Sequence, residues 1–287
     1  MKKLADLIAG CEARAARVKR APLPEEARLP QWPDSIRAVP NAILRSSLFS
    51  ATGRGRRRYA EGEPLAALDG IEIYYTGQRL GQDDLDVWEN LLHAVRSQSL
   101  GEQCRVTSYS LLKLIGLTDT GKNRAALQKR IERLVAAALT IRQGRYIYIG
   151  SLIRSSAKDE KTQEWVIELD PHLRPLFDEY QFTQVDWRIR RSLNGKPLAQ
   201  WLHSFYSSHA APFPFKVRTL HQLCGSEAVR MDHYRQDLRK ALLAVKEACA
   251  AHGKWFRYEV CDDLVYVERQ ASGSQRRHLI KKKAKLT

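Results

Sequence analysis

Residues Leu198 to Val245 read LAQWLHSFYSSHAAPFPFKVRTLHQLCGSEAVRMDHYRQDLRKALLAV. A short helical pattern, Val217 to Cys224, stops at Gly225, a residue suited to closing a helix in the left-handed conformation. A few polar residues follow, and then a long periodic segment. Leu238, Leu242 and Val245 fall on one face of that segment, while Arg, Lys, His and Gln stud the other. The order is short helix, tight turn, basic helix, the pattern of a helix-turn-helix whose second helix enters a DNA groove.

Working outward, WFRYEVCDDLVYVER (Trp255 to Arg269) gives two alternating strands around Asp262-Asp263, which predicts a β-hairpin after the basic helix. The first half repeats this layout. Thr107 or Ser108 caps SYSLLKLIG, which ends at Gly116; the polar turn LTDTGKN follows; Arg124 to Ala138 then carries Leu127, Ile131, Leu134 and Val135 on one face. LTIRQGRYIYIGSLIRSSAKDEKTQEWVIEL reads as strands, a charged tip around Lys158 to Lys161, and a return strand. The expected fold class is therefore α+β, with two tandem winged-helix domains (helix-turn-helix plus β-hairpin). Their boundaries are 35–180 and 181–269. They are flanked by a basic N-terminal segment with a proline-rich linker (1–34), in which 1–20 is a candidate basic helix, and by a disordered basic tail (270–287). Asp83 or Asp84 is placed to cap a helix through Leu85, Val87, Trp88, Leu91, Leu92 and Val95, and Ile71 to Thr76 reads as a strand.

Composition narrows the partner. The 287 residues include 48 Lys and Arg against 32 Asp and Glu, a formal net charge of +16. That balance suits a polyanion, and nucleic acid fits better than membrane because no long apolar run exists. Asp6 and Glu12 interrupt the apolar N-terminus, which argues against a signal peptide. Five widely spaced cysteines (Cys11, Cys104, Cys224, Cys249, Cys261) form no CxxC pair, so neither zinc nor any other metal is expected, and a reducing bacterial cytoplasm suits them.

The candidate contacts follow from the two basic helices. In the first half they are Lys122, Asn123, Arg124, Lys129, Arg130 and Arg133; Asn123 is suited to adenine and Arg124 to guanine, while the later ones suit phosphate. In the second half they are Arg230, His233, Gln236, Arg239 and Lys240. Arg154 and Lys158 are candidate wing contacts. The bland alternative for any one basic helix is a solvated face; two of them, each after a helix and turn, favour DNA. Trp201, Phe205 and Tyr206, spaced i, i+4, i+5, read as core.

Gly116 to Asn123 (GLTDTGKN) comes close to a phosphate-binding loop but lacks the Ser or Thr after Lys and has a helix before its first glycine. It reads as an inter-helix turn, and no cofactor is expected. Asp83, Asp84 and Asp86 suit helix capping better than a metal. Without a Ser/His/Asp set, paired acids or a Tyr beside a histidine cluster, no enzyme activity is expected.

Four segments carry a resemblance: WPDSIRAVPNAILRSSLF (Trp32 to Phe49), DGIEIYYTGQRLGQDDLDVWENLL (Asp69 to Leu92), FYSSHAAPFPFKVRTLHQLCGS (Phe205 to Ser226) and DDLVYVER (Asp262 to Arg269). On these the chain resembles the TrfA family of plasmid replication initiators over roughly residues 30 to 269. The resemblance implies binding to repeated double-stranded origin sites (iterons), origin opening, recruitment of host DnaA and replicative helicase, and copy control through a monomer–dimer equilibrium. Family members can carry a QLSLF-like peptide for the sliding clamp before the Trp-Pro element. Here EEARLPQ precedes Trp32, and RSSLF (Arg45 to Phe49) shares only the ending, so the clamp stays a candidate partner without its peptide. A winged-helix transcriptional repressor without a replication role is the alternative reading; a nickase or ATPase and an RNA-binding module are the remaining rivals.

Overall fold

The computed structural model describes residues 28–283, apart from 54, 56 and 179. Strand β1 (Ile36–Pro40) leads through one helical turn, α1 (Asn41–Leu44), to β2 (Phe49–Ser50). A hairpin, β3 (Tyr59–Leu65) and β4 (Ile71–Gln78), and the short β5 (Leu80–Gly81) precede helix α2 (Gln82–Val95). The chain continues through β6 (Gln103–Thr107), α3 (Ser108–Ile115), α4 (Gly121–Ala136), β7 (Ala138–Gln143), β8 (Tyr146–Gly150), β9 (Ser155–Lys158) and β10 (Glu164–Glu168). After a 3-10 segment (Pro171–Phe177) come β11 (Phe182–Asp186), α5 (Trp187–Ser192), α6 (Pro197–Ser207), β12 (Phe215–Lys216), α7 (Val217–Leu223), α8 (Met231–Ala251), β13 (Phe256–Cys261), β14 (Leu264–Arg269) and α9 (Gly273–Lys283). The fold is mixed α+β.

One element order occurs twice: helix, strand, two helices, two strands. In the first lobe it runs α2, β6, α3, α4, β9, β10, with β7 and β8 inserted after α4 and the strands ordered β6-β10-β9; in the second it runs α6, β12, α7, α8, β13, β14, with the strands ordered β12-β14-β13. In both sheets the strand ahead of the short helix pairs antiparallel with the last strand.

Local chemistry sets the turns. Thr107 Oγ1 accepts from the Ser110 N–H at 3.1 Å and starts α3, which ends at Gly116 with φ +87°. Thr120 Oγ1 accepts from the Asn123 N–H at 3.2 Å and starts α4. GLTDTGKN is thus a capped inter-helix turn. In the second lobe Cys224 closes α7 and Gly225 takes φ +60°. A Cβ on Gly225 would lie 2.9 Å from the Ser50 Cβ, so this turn sits directly on β2. The N-terminus of α2 is held by Asp84, whose carboxylate accepts from the Gly81 N–H at 2.9 Å.

Three features depart from the sequence reading. First, LTIRQGRYIYIG contributes no wing strand. Its two strands, β7 and β8, extend the β3-β4 hairpin into a separate sheet ordered β3-β4-β7-β8, because Leu139 and Ile141 bury opposite Tyr75 and Ile73. Second, the end of the expected linker is packed: Leu29 and Trp32 are buried, and Trp32 Nε1 donates to His93 Nδ1 at 3.1 Å. The basic helix expected over 1–20 lies outside the described residues. Third, Gly273–Lys283 of the expected tail is helical. Ser272 Oγ accepts from the Gln275 N–H, Gln275 Oε1 accepts from the Ser272 N–H, and Gln275 Nε2 donates to Ser207 O at 2.8 Å. This reciprocal cap and dock supply what the low apolar content does not.

The buried apolar residues form two clusters, one spanning Leu29 to Val185 and one Ile189 to Val267. Trp201 stacks on Phe205 at 4.6 Å inside the second, with Tyr206 beside them. A polar knot joins the clusters. Fully buried Arg190 directs Nε at Asp86 (2.8 Å) and Glu89 (2.6 Å) on α2, and Nη1 donates to Gln82 Oε1 (3.1 Å) and Ser204 Oγ (2.9 Å). Arg37, on β1, donates to Asn90 at 3.0 Å and lies over the Trp187 ring. β1 and β11 pair antiparallel, Ile36 opposite Asp186.

Candidate nucleic-acid interface

Helix α8 presents two chemically distinct faces. Tyr234, Leu238, Ala241, Leu242 and Val245 are buried against α6 and α7. Tyr234 packs edge-on to His221 and reaches Cys224 Sγ at 3.6 Å, so it is a core residue. The opposite face exposes His233, Gln236, Arg239 and Lys240, with Arg230 at the N-cap. The spacing 233, 236, 240 places three of them along one stripe of the helix. Exposed carboxylates lie close to two of the cations, Asp232 at 4.0 Å from Arg230 and Asp237 at 3.9 Å from Lys240. Such exposed pairs are worth about 0–1 kcal/mol each, so phosphate can displace them at little cost. Arg235 is anchored differently: it bonds Asp263 in the turn between β13 and β14 at 3.3 Å, tying the helix to the hairpin.

The first basic helix is divided. Lys122 and Lys129 are exposed. Arg130 and Arg133 are not on the outer face. They turn toward α2, where Arg130 meets Asp83 at 3.2 Å and Arg133 meets buried Asp84 at 2.6 Å; Arg57 reaches the same two carboxylates at 2.6 and 3.1 Å. Their expected phosphate role is corrected to a packing role, since freeing Arg133 would take from buried Asp84 one of its two guanidinium partners. These pairings also explain the cluster of aspartates at the start of α2. Arg124 forms a two-pronged pair with Asp119, both bonds 2.6 Å, and the Asn123 side chain donates to Thr118 O at 2.8 Å. Each therefore braces the turn before α4. Lys158 is largely covered: it lies over the Trp165 ring and bonds Glu160 at 3.0 Å and Gln128 at 3.2 Å. Arg154 pairs with Glu168 at 3.0 Å from an exposed position.

Candidates absent from the sequence reading lie beside α8. Lys216 and Arg218 are exposed at the start of α7, and Arg257 on β13 approaches the half-exposed Trp255 ring at 5.8 Å. The alternating exposure along β13 was the available signal. In the basic stretch Arg54 to Arg58 (RGRRR), Arg58 donates two hydrogen bonds to Glu63, at 2.5 and 2.6 Å, while 54 and 56 lie outside the described residues. RSSLF is integral to the fold: Ser46, Ser47, Leu48 and Phe49 are buried. Among the described residues no helix is long and apolar enough to cross a membrane, and no group of three or more His, Cys, Asp or Glu is placed to hold a metal.

This α+β fold defines a structural class that solved proteins share. The chain is similar to domains 2 and 3 of RctB, with a TM-score of 0.56 at 11% identity, over 81% of this chain and 98% of that one. It is also similar to the Pi initiator protein, solved in complex with iteron DNA, with a TM-score of 0.51 at 11% identity, over 66% of this chain and 91% of that one. Within this class the chain belongs to the TrfA protein family, whose pattern matches residues 24–269. A curated relative, the plasmid replication initiator protein TrfA of Escherichia coli, is 28% identical over 246 residues, covering 83% of this chain and 63% of the relative. The chain therefore spans less than two thirds of that relative's length.

Proposed function

We propose that this protein is a plasmid replication initiator that binds repeated sites in double-stranded origin DNA. The observation that carries the reading is the outward basic and polar face of α8, with Arg230, His233, Gln236, Arg239 and Lys240, in a chain of the TrfA family. A structural neighbour sharing the fold is an initiator solved with iteron DNA, which supports the same reading. Each lobe acts as a winged helix, the first within 35–180 and the second within 181–269. α8 lies in the major groove with His233, Gln236, Arg239 and Lys240 toward it, and Arg230 at the groove edge. In the first lobe Lys122 and Lys129 meet phosphate, and Arg124 and Asn123 engage DNA by exchanging their partners in the turn. Copies on adjacent repeats bend the duplex at a cost on the order of 1–6 kcal/mol per site, offset by phosphate contacts, and a nearby AT-rich stretch opens. Recruitment of host DnaA and helicase, and copy control by self-association, complete the proposal. The protein works without catalysis, in the cytoplasm of a plasmid-bearing bacterium.

The test is a footprint on the DNA flanking the gene, with a gel-shift series on the cloned origin. Protection should recur on direct repeats of roughly two helical turns, with bending between them. One isolated, undistorted site, or protection of a promoter with replication unaffected by loss of the protein, contradicts the proposal.

A further inference from the structure

A cavity of about 220 Å³ lies where β11 meets the second lobe and the start of α9. Its charged lining is unbalanced. Lys254, Arg269 and Arg276 contribute three cations, and Asp186 is the carboxylate among the lining residues. Asp186 is already engaged, by Lys254 Nζ at 2.9 Å and Arg188 at 3.1 Å. Among the described residues Arg269 pairs with no carboxylate. Its Nη1 donates to two neutral oxygens, His209 O at 3.1 Å and Gln275 Oε1 at 3.0 Å, and burial pushes its pKa down to about 10. A desolvated guanidinium held by neutral acceptors lacks a counter-charge.

Two further features define the wall. His203 lines the cavity at 5% exposure, and its Nδ1 has no hydrogen-bond partner. That nitrogen is closed off from the cavity space itself, so His203 walls the cavity without donating into it. The N-terminus of α9, an eleven-residue helix, opens at the same wall through Ser272 and Gly273, which adds the positive end of a helix dipole.

We propose that this cavity binds one phosphate-sized oxyanion, as inorganic phosphate or the phosphoryl group of a small phosphomonoester. Arg269 and Arg276 grip it, with Lys254 completing the donor set. The cavity is smaller than the roughly 300–1,000 Å³ usual for larger ligands, which suits a single anionic group. It is recessed, whereas a duplex presents its phosphates on a convex rod, so a free anion fits better than the DNA backbone. The bound anion bridges the loop before β13, the end of β14 and α9. Occupancy thereby fastens the basic C-terminal helix to the second lobe, a function separate from the α8 stripe.

The test is calorimetric titration of the full chain with inorganic phosphate at constant ionic strength, with chloride as the control. One saturable site is expected. Arg276→Gln should weaken it about tenfold, the loss of one charge-assisted contact, and Arg269→Gln by at least as much. Arg276 is exposed, so its variant should melt at the wild-type temperature without phosphate, which keeps the test valid if the Arg269 variant fails to fold. Duplex binding measured in parallel should be unchanged in Arg276→Gln and lowered in Arg239→Ala, while Arg239→Ala keeps its phosphate site. Absence of saturation, or saturation equal in wild type and Arg276→Gln, overturns the proposal. A flat phosphate titration with duplex affinity lost in Arg276→Gln overturns it too, and assigns these cations to the DNA backbone.

Discussion

Arg239 and Arg133 are both arginines on basic helices, and the structure gives them opposite fates. Arg239 is exposed on the outer face of α8; Arg133 is turned onto Asp84 at 2.6 Å. Each phosphate contact contributes about 0.9 to the slope of log affinity against log salt concentration. Arg239→Ala should flatten that slope by about 0.9. Over a fourfold rise in salt, from about 50 to about 200 mM, the variant then loses roughly 3.5-fold less affinity than wild type, having started weaker. Arg133→Ala should leave the slope alone and lower stability instead. Asp84 would keep Arg57 at 3.1 Å and the Gly81 N–H at 2.9 Å, so the loss is about 1–3 kcal/mol, below that of a fully stranded buried charge. Fluorescence anisotropy on a labelled duplex carrying the repeat, at several salt concentrations, reads the first quantity; urea unfolding reads the second. An unchanged slope in Arg239→Ala, or a flattened slope in Arg133→Ala with wild-type stability, would refute the assignment of faces.

Further outcomes follow from other contacts. Arg190→Met strands Asp86 and Glu89 in the interior and should cost about 3–5 kcal/mol in urea unfolding; adding Glu89→Gln should recover part of it, and additive losses would count against the knot. Stability should fall as pH drops below about 6.5. Burial pushes His203 down to about 3 and His93 and His209 down to about 4, so the unfolded chain takes up protons that the folded chain refuses. At pH 5 the loss is roughly 2 kcal/mol for His203, partly offset by Glu89, which burial pushes up to about 7 so that the folded chain takes its proton first; a pH dependence of the melting temperature unchanged in His203→Gln would exclude the histidine share. Gly116→Ala must hold a side chain at φ +87° and should cost about 1–2 kcal/mol in the same unfolding assay, with duplex affinity of the folded fraction unchanged. Arg124→Ala should cost about 1–3 kcal/mol on the repeat if it reads a base, and an equal loss on random DNA would make it a phosphate contact.

What the sequence disclosed was local. The α7–turn–α8 unit follows from the apolar spacing of Leu238, Leu242 and Val245 and from Gly225, all within one short window. Gly116 and Thr120 likewise mark the turn before α4. The inward rotation of Arg130 and Arg133 was not legible, because their partners Asp83 and Asp84 lie 47 and 49 residues away. Lys158 disappears under Trp165 through a cross-strand register, Trp165 opposite Lys158, that composition does not encode. β7 and β8 read as wing strands because a strand pattern does not name the sheet it joins. The start of α9 was present as Ser272-x-x-Gln275, but the scarcity of apolar residues after Arg269 outweighed it.

The Arg190 knot bears on how two DNA-reading lobes would measure distance along a helix. A guanidinium bonded to α2 on one side and α6 on the other ties the lobes together, and the Gly225 turn seated on Ser50 is a second tie that resists swivelling. The pair is then a caliper with a fixed gap rather than two hands on a string. Such a caliper is unforgiving of altered phase between the halves of its site, and a base pair inserted there would matter more than a base changed.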